Sequence, residues 1–176
     1  MKRKLIIYIA MSLDGYIATE SDDLSFLSLV EQENEDYGYS DFVKTVDTVI
    51  VGRKTYDKVL SMGYTFPHAD KESYIITRTP KEPIGSIQFY TGDLTVLVDH
   101  LKQQAGGHIY CDGGAQIIHE LLVGKLVDEL IISVIPILLG GGIRLFKDGR
   151  PSHKLELVAV KQFEKGLAQL HYKSLE

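Results

Sequence analysis

The stretch from position 108 to position 143 constrains the fold of this chain more than any other. It begins with a short apolar strand pattern, Ile109–Cys111, which is followed by a glycine pair, Gly113–Gly114. Apolar residues then recur at helical spacing up to Gly124, a residue suited to ending a helix. A second apolar run, Leu130–Ile135, comes next. This order of strand, helix and strand is typical of a parallel sheet with crossover helices.

The glycine pair stands where the helix would begin, and this is a position suited to phosphate. Amides in the first turn of a helix have no partner within the helix, and the helix dipole is positive there. Glycine also lets an anion approach the backbone closely. A glycine pair after a strand is often only a tight turn, however, so this stretch alone leaves both interpretations open.

The rest of the chain continues the alternation of strand and helix patterns. Two strand patterns at the end are separated by Glu164-Lys165-Gly166, which indicates a hairpin. We therefore predict a single α/β domain over residues 1–176, with a three-layer architecture and a mostly parallel central sheet that ends in an antiparallel C-terminal hairpin. The strand patterns are Lys4–Met11, Asp47–Val51, Ser73–Thr77, Ile87–Tyr90, Leu155–Phe163 and Leu167–Lys173.

Charge and composition exclude several classes of function. The net charge is −5, and the segment between Leu5 and Val43 carries nine acidic residues with no Lys or Arg. Without a basic face, a nucleic-acid partner is not expected. No apolar run is long enough to span a bilayer, so no membrane association is expected either. The single cysteine, Cys111, excludes an internal disulfide, and no metal-binding motif is present, which favours a cytoplasmic protein without a metal.

Three predicted strand ends carry groups that suit a phosphorylated cofactor. They are Gly52-Arg53-Lys54-Thr55, Thr77-Arg78 and Gly113-Gly114, and ligands of open α/β sheets bind at such ends. The dipole disfavours Arg53 and Lys54 at a helix N-terminus by about 0.3–1 kcal/mol each, and a bound anion would relieve this cost. The chain has neither a GxxxxGK[ST] loop nor a GxGxxG motif after its first strand. Arg and Thr at the strand ends favour a 2′-phosphate, and therefore NADPH.

Several motifs together resemble one superfamily. Val49–Tyr56 resembles the VIMGRxTW/Y segment of dihydrofolate reductases, and Ser73–Arg78 and Ile109–Ile117 resemble the next strand and the glycine-pair helix of those enzymes. Ser12–Ala18 and Lys125–Phe146 are similar to the reductase domain of riboflavin biosynthesis. The resemblance implies a dihydrofolate-reductase-like fold that binds NADPH. The candidate cofactor residues are Gly52, Arg53, Lys54, Thr55, Thr77, Arg78, Gly113, Gly114, Ala115 and Gln116.

The resemblance also implies where the substrate would lie. Ser12 and Asp14 would line the side of the hydride acceptor; the alternative role of Asp14 is to shape an Asp-Gly turn. The chain has no Trp, and Asp23 is the only counterpart of the carboxylate of dihydrofolate reductases. Asp23 could contact substrate or deliver a proton, or it could simply cap a helix. The HxE and PCxxC motifs of the deaminase half of the riboflavin enzyme are absent.

We therefore expect an NADPH-dependent reductase that acts on the C=N or C=O bond of a small heterocycle or of a phosphoribosylaminopyrimidine-type substrate. A dihydrofolate reductase is one alternative, and a nucleotide-binding protein without turnover is another. The acidic segment favours a neutral or cationic heterocycle as the small-molecule substrate. The apolar C-terminal strands favour a homodimer.

Overall fold

The computed structural model describes residues 2–175, which contain four α-helices and ten strands. The strands are β1 Leu5–Ser12, β2 Tyr16–Ala18, β3 Val46–Gly52, β4 Glu72–Ile76, β5 Ile87–Tyr90, β6 His108–Gly113, β7 Glu129–Ile135, β8 Ile143–Arg144, β9 Lys154–Gln162 and β10 Ala168–Leu175. The helices are α1 Tyr39–Lys44, α2 Arg53–Ser61, α3 Leu94–Gln103 and α4 Ala115–Val123, with 3₁₀ helices at Ser25–Val30 and Glu164–Gly166.

Eight of the strands form one sheet in the order β5-β4-β3-β6-β1-β7-β10-β9. The first six strands of this order are parallel to their neighbours, and only β10 runs antiparallel, between β7 and β9. This sheet confirms the predicted α/β class with its C-terminal hairpin. Helices α2, α3 and α4 lie in crossover connections between parallel strands, because such strands cannot be joined by a tight turn.

Alternating residues of the central strands enter two different cores. Leu5 and Ile7 of β1 pack in the core that α3 and α4 cover. Ile6 enters a core on the other face with Phe42 of α1 and Tyr110 of β6. Because both faces are covered, β1 is an almost continuous apolar run, as the sequence indicated. Among the described residues, no helix is long and apolar enough to cross a membrane.

Two elements differ from the sequence-based prediction. The segment after Asp23 is a 3₁₀ helix rather than an α-helix. Within its first turn, the hydroxyl of Ser28 donates a hydrogen bond to the backbone oxygen of Ser25 at 2.8 Å. Such local bonds compete with regular α-helix formation. The second difference is a small antiparallel sheet of β2 and β8, which the sequence did not reveal. Strands of three and two residues are too short to produce a periodic pattern.

Candidate functional site

A cradle of backbone groups lies where β3 and β6 end side by side. Gly52 ends β3, and Gly113 ends β6. A Cβ atom on Gly52 would lie 3.1 Å from Cγ1 of Ile117 and 3.5 Å from the backbone N of Gly114. A Cβ atom on Gly114 would lie 3.0 Å from Oγ1 of Thr55. The first turns of α2 and α4 therefore converge, and we call Gly52, Thr55, Gly113, Gly114 and Ala115 the cradle.

The cradle has the composition of an anion site. Helices α2 and α4 both begin in it, so amides without helical partners and two positive dipole ends meet at one edge of the sheet. Gly113 has φ +104°, a conformation that residues with a Cβ atom rarely adopt. The peptide bond between Gly113 and Gly114 is cis. The structure thus brings together the three glycines that the sequence singled out.

Cationic side chains lie beside the cradle around the ring of Phe89. The guanidinium carbon of Arg53 is 5.7 Å from the ring centroid, and Nζ of Lys81 is 4.8 Å from it. Arg53 donates from Nε to both carboxylate oxygens of Asp57 at 2.8 Å. Its terminal nitrogens take no part in this contact with Asp57. The sequence analysis missed Lys81, because only the fold brings both this lysine and Arg53 to the ring of Phe89.

The other predicted cofactor residues have separate surroundings. Lys54 and Arg78 are exposed, the first on α2 and the second just after β4. Thr77 Oγ1 accepts a hydrogen bond from the Thr79 amide at 3.1 Å. Gln116 accepts one from Lys147 Nζ at 2.6 Å and donates to Glu120 at 2.9 Å. The contact of these four residues with a cofactor stays a prediction.

Ser12 and Asp14 tie two loops together. Ser12 is fully buried; its hydroxyl donates to Asp14 Oδ1 at 2.5 Å and accepts from the Tyr16 amide at 3.0 Å. Asp14 also accepts from the amides of Leu139 and Gly140, at 3.1 and 2.7 Å. The hydrogen bond from Ser12, followed by these amides, holds the pKa of Asp14 below its usual value. Asp14 is therefore a carboxylate at neutral pH and holds the loop after β1 against the loop after β7.

Asp23 lies at the start of the 3₁₀ helix. Its carboxylate accepts from the amide of Ser25 at 3.0 Å and from the hydroxyl of Ser25 at 2.6 Å. These hydrogen bonds lower the pKa of Asp23, with a smaller contribution from Lys58. Asp23 lies two residues before the first residue of the helix, while Leu24 occupies the N-cap position, so its carboxylate forms a local turn rather than a helix cap. The catalytic roles of Ser12, Asp14 and Asp23 stay predictions, and none of the three lines the cavity described next.

A cavity of about 580 Å³ opens between the Ser25–Val30 helix, the strands β1 and β7, and the start of β10. We call it the acidic cavity, because four carboxylates stand among its lining residues. Its volume lies in the range of small-molecule sites, which is about 300–1,000 Å³. The lining residues are Tyr8, Ala10, Leu27, Val30, Glu31, Gln32, Glu33, Glu35, Asp36, Tyr37, Tyr39, Ser133, Ile135 and Leu167.

A chain of hydrogen bonds connects the acidic cavity with the cradle. Tyr8 lines the cavity, and its backbone oxygen accepts from the Tyr110 hydroxyl at 3.2 Å. The same hydroxyl donates to Asp112 Oδ1 at 2.6 Å, and Asp112 directly precedes Gly113 of the cradle. Asp112 Oδ2 lies 3.2 Å from Nε2 of the buried His68. The wall of the cavity on β1 is therefore connected with the end of β6, where the cradle begins.

The tyrosines around this chain are neutral hydrogen-bonding groups. Burial, together with the nearby Asp112 carboxylate, raises the pKa of Tyr39 to about 12. Burial also raises the pKa of Tyr110, and its hydrogen bond to Asp112 acts in the same direction. The sequence analysis missed Tyr110, Asp112 and His68, because nothing in their spacing shows that they meet.

Comparison with known proteins agrees with this geometry. Residues 3–169 match the family model of the RibD C-terminal domain. The uncharacterized protein YwjB of Bacillus subtilis strain 168 is 42% identical over 173 residues, which cover 98% of each chain. A crystal structure from Shewanella sp. PV-4, of a protein named for riboflavin biosynthesis, is 31% identical with a TM-score of 0.88. The match covers 98% of this chain and 99% of that one.

A more distant comparison concerns the fold alone. Dihydrofolate reductase from Enterococcus faecalis, in a complex with NADP(H), is 17% identical with a TM-score of 0.68, and the match covers 100% of this chain and 99% of that one. The predicted dihydrofolate-reductase-like fold and the predicted closeness to the riboflavin reductase domain are thus both confirmed. The chain belongs to the family of RibD C-terminal domains, whose fold is that of dihydrofolate reductase.

Proposed function

We propose that the protein is an NADPH-dependent reductase that transfers hydride to a C=N or C=O bond of a small pyrimidine-type heterocycle. One observation carries this proposal: the Tyr110 hydroxyl connects Tyr8, in the wall of the acidic cavity, with Asp112, the residue before the cradle. A reductase needs such an arrangement, since the reacting atoms of cofactor and substrate must come within about 3–3.5 Å. Membership in the RibD C-terminal domain family supports a reductase of this kind.

The residues present fit a dinucleotide phosphate. Any side chain on Gly52 or Gly114 would intrude between α2 and α4. Because both residues are glycines, a pyrophosphate would have room to contact the backbone amides of the cradle. Arg53, Arg78 and Lys81 would hold the 2′-phosphate, since guanidinium groups bind phosphate with paired hydrogen bonds. When bound, the nicotinamide supplies the hydride to the carbon of the acceptor bond. A proton from solvent at the open cavity then completes the reduction at the nitrogen or oxygen.

Titration of the purified protein with NADPH and NADH tests the proposal. We expect NADPH to bind ten- to a hundredfold more tightly, because charge-assisted contacts to the 2′-phosphate contribute about 1.5–3 kcal/mol. Oxidation of NADPH should then follow the addition of a substrate from a panel of pyrimidines and pterins. Equal dissociation constants for the two cofactors would contradict the NADPH assignment. Turnover with dihydrofolate, or tight NADPH binding without any turnover, would support one of the two alternatives instead.

A further inference from the structure

The walls of the acidic cavity suit a flat ring. Ala10 and Ile135 come from the neighbouring strands β1 and β7, and Leu27, Val30 and Leu167 are contributed by the elements around them. The aromatic residues Tyr8, Tyr37 and Tyr39 also line the cavity. Binding sites for small molecules have this construction, in which apolar walls enclose a ligand and a few polar groups orient it.

The charge around the cavity has one sign only. Glu31, Glu33, Glu35 and Asp36 are lining residues, and none of the lining residues is Lys, Arg or His. Glu35 and Asp36 accept hydrogen bonds from backbone amides that follow them. The carboxylates of Glu31 and Glu33 accept no hydrogen bond from any residue within the described range 2–175. These two are therefore available as acceptors for a ligand.

The cation bonded to the entrance segment is not paired with a carboxylate there. Lys165, in the turn before β10, donates from Nζ to the backbone carbonyl oxygen of Glu31 rather than to a carboxylate. Gln32 is also held in place, since its side-chain amide donates to Glu164 at 3.0 Å. These contacts fix the position of the segment that carries Glu31 and Glu33. They leave its negative charge facing solvent and the cavity.

The floor of the cavity has few donors. Gln169 donates from Nε2 to the hydroxyls of Tyr8 and Ser133 and to the carbonyl oxygen of Tyr37. The Tyr8 hydroxyl passes its own hydrogen to Tyr37 O at 2.8 Å. Ser133 is only 5% exposed. Its hydroxyl accepts a hydrogen bond from Gln169 and can still donate its own hydrogen. A ligand in this cavity thus meets the Ser133 hydroxyl as a donor and several carboxylate acceptors.

We infer that the acidic cavity binds a neutral or cationic amino-substituted heterocycle that carries no phosphate. Amino groups on such a ring would donate to Glu31 and Glu33, while a phosphate would face four carboxylates and no Lys, Arg or His among the lining residues. This inference rests on the proposed function, because it names the substrate class of the same site. It departs from a phosphoribosyl-type substrate, for which a site would need Lys or Arg.

The test compares an amino(ribosylamino)uracil with its phosphate ester, by calorimetric titration of the full-length protein saturated with NADP⁺. The unphosphorylated compound should bind at least about tenfold more tightly at low salt, and the difference should shrink at 0.5 M salt as charges are screened. The double variant Glu31→Gln, Glu33→Gln should reduce the difference. The matched variant Glu82→Gln removes an exposed carboxylate between β4 and β5, at the other end of the sheet, and should preserve it.

Tighter binding of the phosphate ester, or no binding of either compound, would overturn the inference about the substrate class. The same protein sample is titrated with NADPH alone, which separates this failure from failure of the proposed function. Tight NADPH binding combined with preference for the phosphate ester would refute only the substrate class. Absence of NADPH binding would refute the proposed reductase itself.

Discussion

Asp14 shows how one carboxylate can hold two loops near the candidate site. It accepts hydrogen bonds from Ser12 and from the amides of Leu139 and Gly140, and these contacts lower its pKa. A lowered pKa means that the charged form is favoured by folding. Its contribution to stability is therefore present above the ordinary value of 3.8 and is lost as the pH falls through the lower folded-state value.

We predict that Asp14→Asn is less stable than the wild type at pH 7, because the charge-assisted hydrogen bonds to the loop after β7 are weakened. The difference in unfolding free energy should begin to shrink as the pH falls below 3.8, where Asp14 of the unfolded chain takes up a proton before Asp14 of the folded protein does. Urea denaturation at pH 7 and pH 3 measures it. The control Asp70→Asn changes an exposed carboxylate that accepts no backbone amide, and should show a smaller effect. A destabilisation independent of pH would contradict this account.

Arg78 gives a second prediction at the scale of single residues. It is exposed just after β4, so its removal should disturb the fold little. We expect Arg78→Ala to weaken NADPH binding about tenfold and to leave NADH binding almost unchanged, since only NADPH carries the 2′-phosphate. Fluorescence titration with both cofactors measures the two constants. The control is Lys154→Ala, which removes a cation from β9 at the far edge of the sheet. An equal loss of affinity for both cofactors in Arg78→Ala would argue against a 2′-phosphate contact.

Residues of the cradle were predictable from sequence, whereas the polar chain beside it was not. Glycine at the end of a strand permits the backbone conformations and close approaches that a binding loop needs. Gly52, Gly113 and Gly114 are therefore recognisable from their positions. Asp112 and His68 are 44 positions apart, and only the fold brings them to 3.2 Å. Long-range contacts between single polar side chains leave no periodic trace in a sequence.

At the scale of elements, the approach of α2 to α4 determines the shape of the cradle. A Cβ atom on Gly52 would lie 3.1 Å from Cγ1 of Ile117 and 3.5 Å from the backbone N of Gly114. Gly52→Ala should therefore push the two helix starts apart at a cost of about 1–3 kcal/mol, as overpacked positions do. We also expect at least tenfold weaker NADPH binding.

Thermal unfolding and cofactor titration of Gly52→Ala separate these two effects. The control is Gly124→Ala at the other end of α4, where a Cβ atom would lie 3.1 Å from Cδ1 of Leu126, outside the cradle. A folded Gly52→Ala protein with wild-type affinity for NADPH would show that the cradle does not receive the pyrophosphate. Loss of affinity in Gly52→Ala alone is the expected result.

Element types were predicted well where patterns are long and poorly where they are short. Asp93 caps the long apolar pattern of α3, and its side chain accepts from the amides of Thr95 and Val96 at 2.7 and 3.1 Å, as its residue type favours. The segment Ser25–Val30 was expected to be α-helical but is a 3₁₀ helix. Its apolar spacing suits both kinds of helix over so few residues, and local serine bonds decide between them.

At the scale of the whole molecule, β9 is the unusual strand. It lies at the edge of the sheet, and no strand within the described residues pairs with its outer side. Leu155, Leu157, Val158 and Val160 are 42–58% exposed on it. The other C-terminal strands lie inside the sheet, β7 between β1 and β10, and β10 between β7 and β9. The surface that a partner would cover is therefore β9.

We propose a homodimer in which the β9 strands of two copies meet, since an edge strand with exposed apolar residues is a template for pairing. Light scattering at micromolar concentration should give twice the monomer mass of 19.7 kDa. The double variant Leu157→Lys, Val160→Lys should be monomeric, because charged residues prevent association of sheet edges. Lysine at exposed Leu60 of α2 is the control and should leave the mass unchanged. A monomeric wild-type protein would contradict the proposal.

The sequence predicted the overall architecture but not the acidic cavity. Each strand carries its own pattern, so the parallel sheet and its final hairpin could be inferred piece by piece. The cavity is assembled from Tyr8, Val30, Ser133 and Leu167, which belong to four separate parts of the chain. The acidic residues were visible as a cluster in the sequence, but their position around an enclosed space depends on how β1, β7 and β10 are ordered.

That order has a consequence for the growing chain on the ribosome. β1 is made first, yet its partners β6 and β7 follow roughly a hundred positions later, as the pairs Ile6 with Tyr110 and Ile7 with Leu130 show. At about 5–20 residues per second, both edges of this apolar strand stay unpaired for on the order of ten seconds. The nine carboxylates between Leu5 and Val43 are translated with it or just after it. We expect their mutual repulsion to keep nascent chains apart until the centre of the sheet can close.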